Sequence, residues 1–343
     1  MLKNLVMEKS ILEQILKVVE TVYGTYTKGN WIPKPYADNK SRYLWTDAYG
    51  VCNFLTLYRE TNDIKYLEQA DALINNVHDT LGYERNGKKR LGNATDEYPT
   101  RGGLRIGKIE DEGSHDGDGQ YFHYLTKWAF ALSRMAKIKN DQRYIRWAID
   151  LIKAIHPHFV YRDRNDQLHM YWKMSIDLTY PAVPSEGNLD PYDGYITYRL
   201  VDELAEEREL EKEIADMKSM VDIKYARYRS SDPLDLGEAL WITHWYPDEQ
   251  WAKTITTKSL QALEELWQHG DFQESLNRRL AFREFGTTIG VQVNDKAGDI
   301  WKNRINDLHN LWLPHLYKRD KDISPVMFCT SLRPGVVSRH YLP

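Results

Sequence analysis

Residues 44–74 read LWTDAYGVCNFLTLYRETNDIKYLEQADALI, and the two halves of this stretch behave differently. In the first half Leu44, Trp45, Ala48, Val51, Cys52, Phe54, Leu55 and Tyr58 leave hardly any polar side, the pattern of a helix buried all round. In the second, Ile64, Leu67, Ala70 and Ile74, continued by Val77 and Leu81, fall at steps of three and four and form one apolar face. Asn62 and Asp63 make the turn between them, and a short carboxylate at Asp63 suits a helix N-cap.

The same pairing recurs along the chain. Gln120 to His156 (QYFHYLTKWAFALSRMAKIKNDQRYIRWAIDLI and onward) repeats Tyr43 to Leu81, again with Asn-Asp before the second helix, so Asp141 takes the N-cap position. Weaker copies run Asp193 to Tyr228, Asp235 to His269 and Phe282 to Tyr317, with Asp248 and Asp299 near the second helix starts. An N-terminal helix at about Leu2 to Tyr23 carries Ile11, Ile15, Val18, Val19 and Val22 on one face and would complete a sixth pair beside C-terminal residues. An inner ring of buried helices inside an outer ring of amphipathic ones satisfies both patterns. The expected fold is therefore all-α, an (α/α)6 toroid formed as a single domain from residues 1–343. One β-hairpin is expected within Phe159 to Met174, with Asp163 to Asp166 as its turn.

Composition narrows the function classes. Hydrophobic residues at 42% and charged residues at 28% describe a soluble globular chain with a substantial core. A net charge of −4, with no Lys/Arg block interleaved with aromatics, argues against a nucleic-acid partner. The first residues alternate charge and apolarity at helical spacing, so neither a signal peptide nor a membrane span is expected and the predicted location is cytoplasmic. Cys52 and Cys329 are too few for a disulfide framework or a zinc cage. The 11 Trp and 23 Tyr exceed what packing requires and suit an amphipathic ligand such as a sugar.

Long segments precede the inner helices, at about 24–42, 82–119, 175–192, 229–234 and 270–280, whereas the other connections are tight turns. In a ring of parallel inner helices these long loops open on one face, where binding and catalysis concentrate. This two-ring pattern resembles the six-hairpin glycosidase-like proteins, which include glycoside hydrolases, unsaturated-uronyl hydrolases and the N-acylglucosamine 2-epimerase group. The resemblance implies a sugar-binding crevice at the long-loop face.

Acids stand at or near the start of each inner helix: Asp47, Asp118, Asp193, Asp235 and Glu284. Capping accounts for such acids, but a ring also brings them around one crevice, and glycoside cleavage needs one protonated and one ionised carboxyl. Asp118 and Asp193 are the first choice for that pair, with Asp47, Glu186 and His244 in reserve. Trp45, Tyr121, Tyr195, Trp241 and Trp245 are candidate sugar-stacking walls, and Arg105, Lys108, His123, Arg283 and Glu284 candidate polar contacts. Gly102, Gly103 and Gly107 would allow close backbone approach to the ligand, and Arg339 and His340 would return to the same rim. Residues 102–108 match seven positions of a phosphate loop, but Ile109 replaces its Ser/Thr. His115, Asp116 and Asp118 lack calcium-loop spacing, so neither a metal nor a cofactor is expected.

The expected activity is hydrolysis of a small saccharide. One rival is a sugar epimerase or isomerase using His123 and His244 as paired proton carriers. Another is a non-catalytic helical scaffold. The oligomeric state is left open.

Overall fold

The computed structural model describes residues 7–38, 40–114 and 116–342. His115 and residues 1–6 of the N-terminal segment lie outside the described residues. In chain order the helices are α1 (Lys9–Tyr23), α2 (Leu44–Thr61), α3 (Ile64–Leu81), α4 (Phe122–Lys139), α5 (Gln142–Phe159) and α6 (Asp190–Asp202). They continue with α7 (Glu211–Lys224), α8 (Pro233–Thr243), α9 (Gln250–His269), α10 (Ala281–Val293), α11 (Ile300–Trp312) and α12 (Ser324–Leu332).

The even-numbered helices form the inner ring. Each touches the next, from α2 through α4, α6, α8 and α10 to α12, and α12 returns to α2. The odd-numbered helices pack outside, and α1 lies against α12, which supplies the sixth pair and closes the circle. Burial follows: every residue of α2 from Leu44 to Leu57 is buried, as are Ile145, Ala148, Ile149, Ile152 and Ile155 on one side of α5. Ile64 departs from its predicted stripe, being 56% exposed at the first position of α3, where the helix has not yet turned onto the ring.

Local signals explain the turns. Asp63 Oδ1 accepts from Lys65 N at 3.1 Å and Asp141 Oδ1 from Arg143 N at 3.0 Å, so both are the predicted caps. Asp248 precedes the N-cap of α9 and Asp299 makes no side-chain cap bond, so the repeat of that signal is positional only. The expected hairpin pairs β2 (Val160–Arg162) with β3 (Leu168–Met170), and Asp163 Oδ1 closes its turn on the amides of Asn165 and Gln167. A second sheet is additional: β1 (Gln120–Tyr121), β4 (Lys173–Met174) and β5 (Pro181–Val183), in the order β1-β4-β5.

Inner-ring spacing is uneven, and glycine is the cause. A Cβ on Gly290 would lie 2.0 Å from Gly237 O, and one on Gly237 2.3 Å from Gly286 O, so α8 and α10 meet backbone to backbone. By contrast α6 and α8 touch least among neighbouring inner helices, and the ring opens there.

Candidate active site

The opening is a crevice of about 520 Å³ at the N-terminal ends of α4, α6 and α8, within the usual range for ligand pockets. Tyr121, Tyr124 and Trp172 contribute aromatic lining, with Tyr121 and Trp172 in edge contact, ring planes at 63° and centroids 4.7 Å apart. Asp190, Asp235 and Glu238 also line it, and Arg283 and Asp232 make an ion pair there.

Spacing on the two facing helices is the organising feature. Asp190 and Asp193 stand three apart on α6, Asp235 and Glu238 three apart on α8, so each helix turns two carboxyls to one side. The deeper pair is joined by Lys127 of α4, whose Nζ is 2.7 Å from Asp193 Oδ1 and also pairs with Glu238 Oε1. The indole of Trp241 lies 3.8 Å beneath that ammonium. Asp193 Oδ2 accepts from Thr126 Oγ1 at 2.5 Å and faces His123 Nδ1 at 3.1 Å. Although burial opposes charge at Asp193, Lys127 and His123 outweigh it and hold the carboxyl well below the usual range.

Asp190 has the opposite surroundings. It is 5% exposed, its Oδ2 has no hydrogen-bond partner, and burial pushes its carboxyl up to about 7. Burial also raises Asp235, but donors offset part of this: Asn188 Nδ2 at 2.8 Å and Tyr228 OH at 3.4 Å. The two crevice carboxyls therefore differ in how well their anions are served.

His123 borders the crevice with both nitrogens engaged, Nε2 accepting from Trp45 Nε1 at 3.2 Å. Burial disfavours its cation, yet the Asp193 hydrogen bond and charge shift its pKa upward overall. His123, Asp193 and Glu238 offer ligand atoms within 4.8 Å of one another, which is metal-like spacing. Lys127 already sets a positive charge between the two carboxylates, so the chain itself supplies the cation this cluster needs.

Solved structures with this ring align over nearly its whole length. D-mannose isomerase is 12% identical, with 97% of this chain and 100% of that chain covered at a TM-score of 0.61. The GH76 α-mannanase from Bacteroides thetaiotaomicron is 11% identical, covering 94% of each chain at 0.60. Cellobiose 2-epimerase from Spirochaeta thermophila is 11% identical, covering 96% of this chain and 97% of that chain at 0.56. This chain has the six-hairpin toroid fold. No protein-family model and no curated protein matches its sequence. At these identities the likeness speaks for the six-hairpin toroid alone.

Of the residues singled out from sequence, Tyr121, His123, Asp235 and Arg283 line the crevice, and Trp45 and Asp193 stand directly behind His123. The others lie elsewhere. Asp118 is fully buried in the loop before α4, with Oδ2 2.5 Å from Arg105 Nη1 and Oδ1 accepting from Gly107 N and Gly119 N at 3.0 and 3.1 Å. Arg105 is spent on that carboxylate and on carbonyls of Thr80 and Tyr83, and Lys108 pairs with Asp116. The glycines of this loop serve its own packing: a Cβ on Gly103 would strike Gln120 and one on Gly107 the Arg42 carbonyl. Asp47 is enclosed with Tyr36 OH at 2.6 Å and Arg42, and Glu284 receives Arg279 twice at 2.7 Å and Trp312 Nε1 at 2.7 Å. Glu186 binds Lys224 on the outer side, at 2.6 Å.

His244, Trp241, Trp245 and Tyr195 are core residues. His244 sits at the C-terminal end of α8, with Nδ1 on Trp241 O and Nε2 accepting from Arg339 N at 3.0 Å. That places Arg339 and the tail on the tight-turn face, opposite the expected rim. Tyr195 packs on Trp251 and Trp245 on Phe130, and Trp241 Nε1 donates to Val337 O at 2.9 Å. Glu238 was not among the sequence candidates for the site. Its signal was an ionisable residue inside a run otherwise buried all round, LDLGEALW.

Proposed function

We propose that this chain is a carbohydrate-active enzyme that hydrolyses a glycosidic bond of a small saccharide in the crevice between α4, α6 and α8. The observation that carries this reading is the pair of carboxyls, Asp190 and Asp235, that line the crevice together with Tyr121, Tyr124 and Trp172. Asp190, buried and with its Oδ2 unpartnered, retains a proton near neutrality and gives it to the glycosidic oxygen as the carbon–oxygen bond breaks. Asp235, with Asn188 and Tyr228 to hold its charge, accepts the proton of the water that adds to the anomeric carbon. Asp193 and Lys127 act as positioning residues beneath, and Asp118 as the organiser of the loop before α4. Aryl glycosides and disaccharides offered to the wild type, Asp190→Asn and Asp235→Asn test the assignment: both variants should keep the fold and lose turnover, and undiminished rates in both would remove it.

Epimerisation through paired histidines is less well supported, although two aligned proteins bear the names epimerase and isomerase. His123 borders the crevice, whereas His244 is buried at the far end of α8 with both nitrogens bonded.

A further inference from the structure

A second depression of about 420 Å³ adjoins the crevice, and Asn188 borders both. Its floor is phenolic: Tyr192 and Tyr228 are 1% and 4% exposed, while Ile223 forms an exposed apolar edge. The segment between the two cavities lies low because Gly187 abuts the Asp190 carboxyl, where a Cβ would be 2.3 Å from Oδ2. Asn188 also donates to Asp235, so the shared border is tied to the proposed reacting group.

Charge separates the two spaces. The crevice presents Asp190, Asp232, Asp235 and Glu238 against Arg283, whereas the outer groove presents Lys224 and Arg227 against Glu186. Lys224 is engaged by Glu186, but the exposed Arg227 makes no ion pair among the described residues. A guanidinium fork beside phenol rings and an amide suits a sugar that carries a carboxylate, with a flat apolar face for the floor and hydroxyls for Asn188 and Gln167.

We infer that the outer groove is a second saccharide subsite that takes a uronic-acid unit, its carboxylate on Arg227, while the neighbouring neutral unit occupies the crevice. Placement of both units on one substrate rests on the hydrolase reading; occupancy of the groove by an anionic sugar does not. A neutral unit is favoured inside because the crevice cation Arg283 is already paired with Asp232, which leaves Asp235 to repel an anion.

Glucuronate and glucose titrated separately into the ¹⁵N-labelled full chain test this. Glucuronate should move the amide signals of Lys224 and Arg227, glucose at the same concentration should not, and Arg227→Met should weaken the glucuronate response about tenfold. Glucuronate shifts confined to Asp235 and Glu238, or an unchanged response in Arg227→Met, would overturn the inference. The titration is repeated on Asp190→Asn, which reports groove binding without turnover. If Asp190→Asn retains full turnover while the groove still binds glucuronate, the hydrolase reading falls and the subsite stands.

Discussion

Lys127 Nζ lies 2.7 Å from Asp193 Oδ1, both side chains almost wholly buried where α4 meets α6. The same ammonium pairs with Glu238 of α8, so one cation links three inner helices under the crevice. Truncating one member of a buried charge group leaves the others uncompensated, at a cost of about 3–5 kcal/mol. Lys127→Met should lower the stability of the fold by that order in urea unfolding. A loss under 1 kcal/mol would show that the carboxylates are served by other groups.

Asp118 and Asp190 should separate stability from turnover. Asp118→Ala removes the partner of buried Arg105 and the acceptor of two loop amides, so its unfolding midpoint falls by an amount corresponding to about 3 kcal/mol or more. Asp190→Asn removes no hydrogen bond from Oδ2 and should unfold no earlier than the wild type, while its turnover drops at least about a hundredfold. Comparable stability losses in both variants would contradict this division.

The Asp190 shift fixes a pH dependence. Its carboxyl titrates near 7 when folded and near 3.8 when unfolded, so between those values the folded state holds the extra proton. Stability therefore falls as pH rises from about 4 to 7, by up to about 1.4 kcal/mol per unit from this group. Turnover should decline above pH 7 as the acid is lost. Calorimetry of wild type and Asp190→Asn from pH 4 to 8 checks the first statement: the variant must lack this component.

His244 should stay neutral in mild acid. Burial depresses its pKa to about 3 from 6.5, so between these values only the unfolded chain takes up the proton and stability drops as pH falls. Ring ¹⁵N shifts at pH 5 should report the neutral form protonated at Nδ1. An imidazolium signal there would return His244 to the list of proton carriers.

Free monosaccharides in heavy water distinguish the two chemistries. Hydrolysis leaves carbon-bound protons in place, so incubation with glucose or mannose should give no deuterium at C2 by proton NMR. Incorporation would favour epimerisation, with His123 as the carrier nearest the sugar.

The helical pairs were legible because each helix reports its own surroundings. All-round burial of α2 and one-sided burial of α5 follow from spacing of three and four, and Asp63 and Asp141 cap where local chemistry requires. The site was less legible. Asp118 and Asp193 look alike in sequence, each an acid near the start of an inner helix, yet one fastens a loop and the other anchors a buried ammonium. Glu284 met Arg279, five residues away, and Asp47 met Tyr36 and Arg42, so neither faces the crevice.

Sequence by itself determined the paired helices, the closed ring and the long-loop face, since periodicity, caps and turns act within a few residues. Tertiary structure alone decided which carboxyls share the crevice. The close approach of Gly237, Gly286 and Gly290 draws α8 toward α10, and α6 and α8 part where Asp190 and Asp235 face the opening. A carboxyl's proton affinity depends on the donors and cations brought to it from other helices, and for Asp190 and Asp193, three residues apart, those neighbours push in opposite directions.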